Sequence, residues 1–130
     1  MSLFDSMRVS ASGLAVERFR MDVTAGNLAN ADNVADKPGD TPFYRQMVEI
    51  RGGPDGVQVV GTQDDVDSVD VQKVANSPGV DGQGSVYKTQ IDPVAERLDL
   101  MGATRAYEAN IKAFNAAKGM ARSALDIGKA

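Results

Sequence analysis

Residues 100–121 read Leu-Met-Gly-Ala-Thr-Arg-Ala-Tyr-Glu-Ala-Asn-Ile-Lys-Ala-Phe-Asn-Ala-Ala-Lys-Gly-Met-Ala. Leu100, Tyr107, Phe114 and Ala121 recur every seven residues, with Ile111 and Leu125 at offset positions on the same side. That spacing predicts a helix with one narrow apolar seam. The opposite end of the chain repeats the pattern. Met7, Leu14, Met21 and Leu28 are also seven apart, flanked by Phe4, Ala11 and Ala25. A narrow seam needs a partner helix, and each end of the chain supplies one for the other. Periodicity alone fits an ordinary core-facing helix pair equally well.

Working outward, Asp92-Pro93 is a helix start: Asp can accept from free N–H groups, Pro needs none, and Glu96 lies near the positive helix end. The helix can continue to Ile127, where Gly128 stops it. At ~1.5 Å per residue it would be about 50 Å long, more than a compact domain of this size requires. The first helix begins near Ser2 or Asp5 and runs towards Asn30. Gly13 and Gly26 each weaken it by roughly 1 kcal/mol relative to Ala, so it is expected to fray in an isolated monomer. The small residues Ser10 to Gly13 and Ala15 leave room for another backbone.

Between the helices, residues 31–42 are rich in Pro, Gly, Asp and Asn and read as a loop. Phe43 to Ile50 alternates as a strand, 51–56 is a turn and Val57 to Val60 a second strand, giving a hairpin. Residues 76–84 form another turn and Ser85 to Ile91 a last strand. The expected fold class is therefore α+β, with paired N- and C-terminal α-helices forming a coiled coil around a small β-rich, loop-rich middle. The segments are 1–30, 31–92 and 93–130.

Composition narrows the chemistry. The 130 residues include no Cys, His or Trp, and aromatics are only 5%. Disulfides, thiolate nucleophiles, imidazole acid-base catalysis and nearly all zinc sites are thereby excluded. The net charge of −4 is concentrated in the middle, where eleven acids face five bases, while the C-terminal segment has four acids and six bases. No segment is basic enough for nucleic acid, and none is apolar enough to insert in a membrane or serve as a cleaved leader. Asp64, Asp65, Asp67 and Asp70 invite a calcium reading. Counted from Asp65, however, Val69 takes a ligand position, and the central Gly and final Glu of an EF-hand are missing. Gly82-x-Gly84 enters a strand, so it is no phosphate loop. No cofactor, metal or catalytic residue is expected; Glu49 with Asp55, or the aspartates at 64–70, lack a His, a Cys or an evident apolar pocket.

Two short motifs remain. Asn27-Leu-Ala-Asn30 closes the first helix, and Tyr107-Glu-Ala-Asn110 lies within the second. Asn27 and Asn30 suit helix-end punctuation, whereas a mid-helix Asn110 beside an apolar seam reads as a register-fixing polar contact. Ser10-Ala-Ser-Gly-Leu-Ala15, Met21-Asp-Val-Thr-Ala-Gly-Asn-Leu-Ala-Asn-Ala31, Leu100-Met and Arg105-Ala-Tyr-Glu-Ala-Asn-Ile111 together resemble the flagellar basal-body rod and hook family of axial proteins, especially its small proximal-rod members. Pro42-Phe-Tyr-Arg-Gln46 and Gly56-Val-Gln-Val-Val60 resemble the strands of that family. The acidic valine run within 61–92, and Arg97 where such proteins often have Met, depart from it.

The resemblance implies a non-enzymatic structural subunit, with its terminal helices packed against each other and against neighbours in a tubular rod that transmits torque. It implies export through the flagellar type III apparatus without a cleaved signal peptide, a periplasmic location in the basal body, and as partners other rod proteins, copies of itself and the rod base. The packing residues it implies are Met7, Leu14, Met21, Asn27, Leu28, Asn30, Leu100, Tyr107, Asn110, Ile111, Phe114 and Leu125. Another axial subunit, or a helical adaptor of a type III secretion system that does not polymerise, is the alternative.

Overall fold

The structure, a computed structural model, describes residues 2–73 and 78–129. Its elements are α1 (Leu3–Ala29), β1 (Arg45–Gly53), β2 (Gly56–Asp65), a 3-10 turn at Val66–Ser68, β3 (Val69–Lys73), β4 (Ser85–Thr89) and α2 (Pro93–Gly128). Two long helices with a small β middle make the fold α+β. The chain divides into two compact units, Met1–Met21 with Val48–Gly61 and Leu100–Ala130, and Asp22–Met47 with Thr62–Asp99. Each unit takes residues from all three segments that the sequence suggests.

Both helix starts are capped. Ser2 and Asp5 act on each other: the Asp5 N–H donates to Ser2 Oγ at 3.1 Å and the Ser2 N–H to Asp5 Oδ2 at 2.8 Å. This reciprocal box satisfies donors that the first helical turn leaves free. The backbone and hydroxyl donors of Ser2, followed by the nearby Arg8 cation, hold the Asp5 carboxyl below its ordinary range. At α2, Asp92 Oδ1 accepts from the Val94 N–H at 2.8 Å. Asn30 closes α1 by donating its side-chain amide to Gly26 O at 2.8 Å, which is the punctuation role its residue type suggests.

In the first unit the fully buried apolar side chains are Val16, Ala103 and Ala117. On α2 they fall on a stripe completed by half-buried Leu100, Tyr107, Asn110, Phe114 and Ala121. Steps of three and four alternate along it, the a/d rhythm of a two-helix seam. Ile111 and Leu125, expected at the offset positions, are exposed instead; Ala103, Asn110 and Ala117 take those places. On α1 the most buried positions of this unit are Gly13 and Val16, with Met7, Leu14 and Met21 half-buried, while Phe4 and Ala11 face outward. The buried line is thus displaced from the heptad of large residues towards small ones. The cause is close approach: a Cβ built on Gly13 would lie 2.6 Å from Asn110 Nδ2. Further along, Thr104 Oγ1 lies 3.5 Å from Met21 Sδ, so in this unit α1 and α2 run antiparallel.

The second unit is held largely by hydrogen bonds. β3 and β4 pair antiparallel with Val69 opposite Thr89 and Lys73 opposite Ser85. Along β4, the Thr89 N–H donates to Asn33 O at 2.9 Å and the Ala35 N–H to Tyr87 O at 3.0 Å. Part of the expected 31–42 loop therefore runs as an edge against β4. The start of β4 is shaped by Asp81, whose Oδ1 accepts from the Gln83 and Ser85 N–H groups, both at 2.9 Å, with Gly84 at φ 78°. Of the turn expected at 76–84, Asn76 and Ser77 lie outside the described residues. Val86, Ile91 and Ala35 form the apolar part of this core.

Candidate subunit-packing site

Two sites hold the terminal helices to the middle of the chain, one in each unit. In the second unit, Asn27 is 2% exposed and Glu96 1%. The Asn27 carboxamide pairs with the backbone of β1 as a neighbouring strand would: Oδ1 accepts from the Gln46 N–H at 2.8 Å and Nδ2 donates to Gln46 O at 2.9 Å. Its remaining N–H donates to Glu96 Oε2 at 3.2 Å. The other Glu96 oxygen accepts from Arg45 Nε. Arg45 also lies 3.6 Å from Asp99 and 3.8 Å from Asp65. Its backbone N–H donates to Ser68 Oγ at 2.9 Å. A buried carboxylate is tolerated only when paired and fully hydrogen-bonded, and this one is both. Among the described residues no buried side-chain polar atom lacks a partner.

In the first unit the tip of the β1–β2 hairpin sits on α1. Ser12 Oγ donates to Val9 O at 2.7 Å and accepts from the Val57 N–H at 3.0 Å. Gly56, at φ 113°, leaves no space for a side chain: a Cβ there would lie 2.1 Å from Ser12 Oγ and 3.3 Å from Val9 Cα. Arg8 bridges Asp5 and Asp55, each at 2.9 Å. The short side chains at Ser12 and Gly13 thus serve two neighbours, the hairpin tip at one residue and Asn110 at the next.

Outside these contacts α2 has a further apolar face. Val94, Leu98, Met101, Met120 and Ile127 are each more than half exposed. At 100° per residue they lie on the side of the helix away from the Ala103–Ala117 stripe. Among the described residues no helix is long and apolar enough to cross a membrane, and no cluster of acidic side chains is arranged to hold a metal ion.

The two helical ends match known families at the positions just described. A profile described as "Flagella basal body rod protein" matches residues 7–35, and one described as "Flagellar basal body rod FlgEFG protein C-terminal" matches residues 83–127. Over nearly its whole length the chain is 36% identical to the flagellar basal-body rod protein FlgC of Bacillus subtilis, an alignment of 150 residues covering 99% of this chain and 100% of the relative. It belongs to the FlgC family of flagellar basal-body rod proteins. FlgC of Aquifex aeolicus is 36% identical over 124 residues, 91% of each chain, and FlgC of Salmonella typhimurium 32% over 137 residues, 99% of this chain and 100% of the relative. As a member of the FlgC family the chain is a structural subunit of the rod in the flagellar basal body.

Set on this family member, the residues singled out in the sequence separate into groups. Asn27 lies at the centre of the buried polar cluster and Asn30 ends α1. Asn110 faces Gly13. Met7, Leu14, Met21, Leu28, Leu100, Tyr107 and Phe114 are half-buried on the helices, and Ile111 and Leu125 are exposed. The residues that pattern reading passed over are Ser12, Arg45, Gly56, Ser68 and Glu96. Ser12 stood among the small residues that suggested close approach, and Glu96 was assigned only to the helix dipole. Nothing in local spacing connects Glu96 with Arg45, 51 residues earlier.

Proposed function

We propose that this chain contributes to the rod as a non-catalytic subunit whose terminal helices pair as an antiparallel coiled coil and pack with copies of itself and with other rod proteins. The observation that carries this reading is the two-sided character of α2. One stripe, Leu100 to Ala121, is buried within the chain; on the other side Val94, Leu98, Met101, Met120 and Ile127 stand exposed. Exposed apolar side chains recurring along one side of a 36-residue helix favour a protein partner. In a tubular rod, contacts of this kind repeat head to tail by helical symmetry and carry torque through many small interfaces. The proposed place is the proximal rod in the periplasm, attached to the rod base, reached through the flagellar export apparatus.

The experiment is complementation of a strain lacking its own subunit. Leu98→Asp with Met101→Asp is expected to leave the purified protein folded, because both side chains are exposed, and to abolish rod incorporation and swimming. Normal motility and normal rods would refute the proposal. A defined one-to-one complex without higher assembly would instead indicate an adaptor.

A further inference from the structure

We propose that the buried cluster of Asn27, Gln46, Glu96, Arg45 and Ser68 is an all-or-none latch: the second unit orders only when the last turn of α1 and the first turn of α2 are both seated beside the start of β1. This inference is independent of the rod reading.

The cluster joins pieces of chain that are remote in sequence, and Asn27, Glu96, Arg45 and Ser68 each bond two partners. Asn27 gives both faces of its amide to Gln46 and its remaining donor to Glu96. Glu96 divides its oxygens between Asn27 and Arg45. Arg45 donates its backbone N–H to Ser68 Oγ, which donates onward to Asp65 O at 2.6 Å. Ser68 O accepts from the Gln90 N–H at 2.6 Å, and Thr89 Oγ1 bonds Phe43 O. Removing the end of α1 would therefore strand the Gln46 N–H and C=O and half of a buried carboxylate together. Removing the start of α2 would strand one hydrogen of Asn27 Nδ2 and, since Asp99 lies on α2, leave Arg45 with Asp65 as its remaining carboxylate. A state with one link broken keeps the burial and loses the partners, so it is worse than either the closed or the fully opened state. Two favourable states separated by unfavourable intermediates make a switch. Among the described residues the buried large apolar side chains of this unit are only Val86 and Ile91, with Ala35 beside them, so the polar cluster carries much of its interior.

Amide hydrogen exchange of the full chain by NMR tests the latch. The N–H groups of Arg45, Gln46, Thr89 and Gln90 report on the cluster, and that of Val57, bonded to Ser12 in the other unit, reports that the rest remains folded. In Asn27→Ala, protection at all four is expected to fall together, by about tenfold or more, although only Gln46 loses its direct partner, and Val57 stays protected. Glu96→Gln, which keeps the shape and an acceptor, is a milder second variant expected to show the same joint fall to a smaller extent. Faster exchange confined to Gln46 in Asn27→Ala, with Arg45, Thr89 and Gln90 unchanged, would overturn the proposal. An equal rise at Val57 in Glu96→Gln would overturn it as well, since the cluster would then be no separate switch.

Discussion

Gly13 and Asn110 occupy adjoining space on facing helices, so close that a β-carbon on the glycine would stand 2.6 Å from the amide nitrogen. A close contact between α1 and α2 in this unit is thus one between a residue with no side chain and a polar one.

Enlarging Gly13 tests that contact. Ala would gain roughly 1 kcal/mol of helix propensity but requires the Asn110 amide to rotate away, so Gly13→Ala is expected to be near neutral. Gly13→Leu cannot be relieved by one rotation and is expected to destabilise by about 1–3 kcal/mol in urea unfolding. Gly13→Ala combined with Asn110→Ala should be more stable than the sum of the single changes; strict additivity would mean the two residues do not meet.

At Gly56 a side chain is opposed by the backbone as well as by space. Gly56→Ala meets positive φ, Ser12 Oγ and Val9 Cα at once, and a loss of about 1–3 kcal/mol is expected. Adding Ser12→Ala removes the nearest atom but not the φ restriction, so a thermal melt of the double variant should recover only part of the loss.

Removing the Glu96 carboxylate isolates its partners. Glu96→Ala leaves one of the two Asn27 Nδ2 hydrogens without its acceptor and Arg45 with only Asp65 and Asp99. The expected cost is about 3 kcal/mol, at the low end for a broken buried pair because the Arg45 side chain remains 27% exposed. Chemical denaturation measures it. Leu28→Asp, at a half-buried position on the neighbouring helix end, is expected to reduce stability as well as rod incorporation.

Acid below the ordinary carboxylate range should loosen the cap at the start of α1. The Asp5 carboxyl is depressed in the folded chain by the Ser2 donors, then by Arg8. A lowered folded value means that its contribution is present above the unfolded value, about pH 4, and disappears as the pH falls through the lowered one. Carboxyl titration by NMR should show the depressed midpoint, and Ser2→Ala should move it up towards the ordinary range. An unchanged midpoint in that variant would exclude the Ser2 hydroxyl as a cause and leave the Ser2 backbone N–H and Arg8.

Much of the architecture was legible because it rests on local rules. Pro93 with Asp92, Ser2 with Asp5 and the alternation after Phe43 each act within a few residues. The packing line on α1 was harder to place. Met7, Leu14, Met21 and Leu28 mark the heptad, yet they are only half-buried, while the buried places go to Gly13, Val16 and, on α2, Ala103 and Ala117. Arg45 and Glu96 were hidden for another reason: an ion pair between β1 and α2 has no periodicity, and a Glu in a first helical turn is explained sufficiently by the dipole. Alternating Asp and Val at residues 64–70 describe a short exposed strand and an irregular segment equally well, which leaves β3 (Val69–Lys73) undecided from sequence.

The fit of the hairpin tip against α1 also bears on how relatives can differ in length. The turn at Pro54–Asp55 is as short as a hairpin permits, and Val9 and Ser12 already occupy the space next to Gly56. An extra residue in that turn would push backbone into a helix. The alignment with the Bacillus subtilis relative is longer than this chain, so chains of this family accommodate added residues, and this tip is the wrong place for them. Insertions belong where the backbone is free to bulge, and the tip acts as a ruler that the rest of the middle must respect.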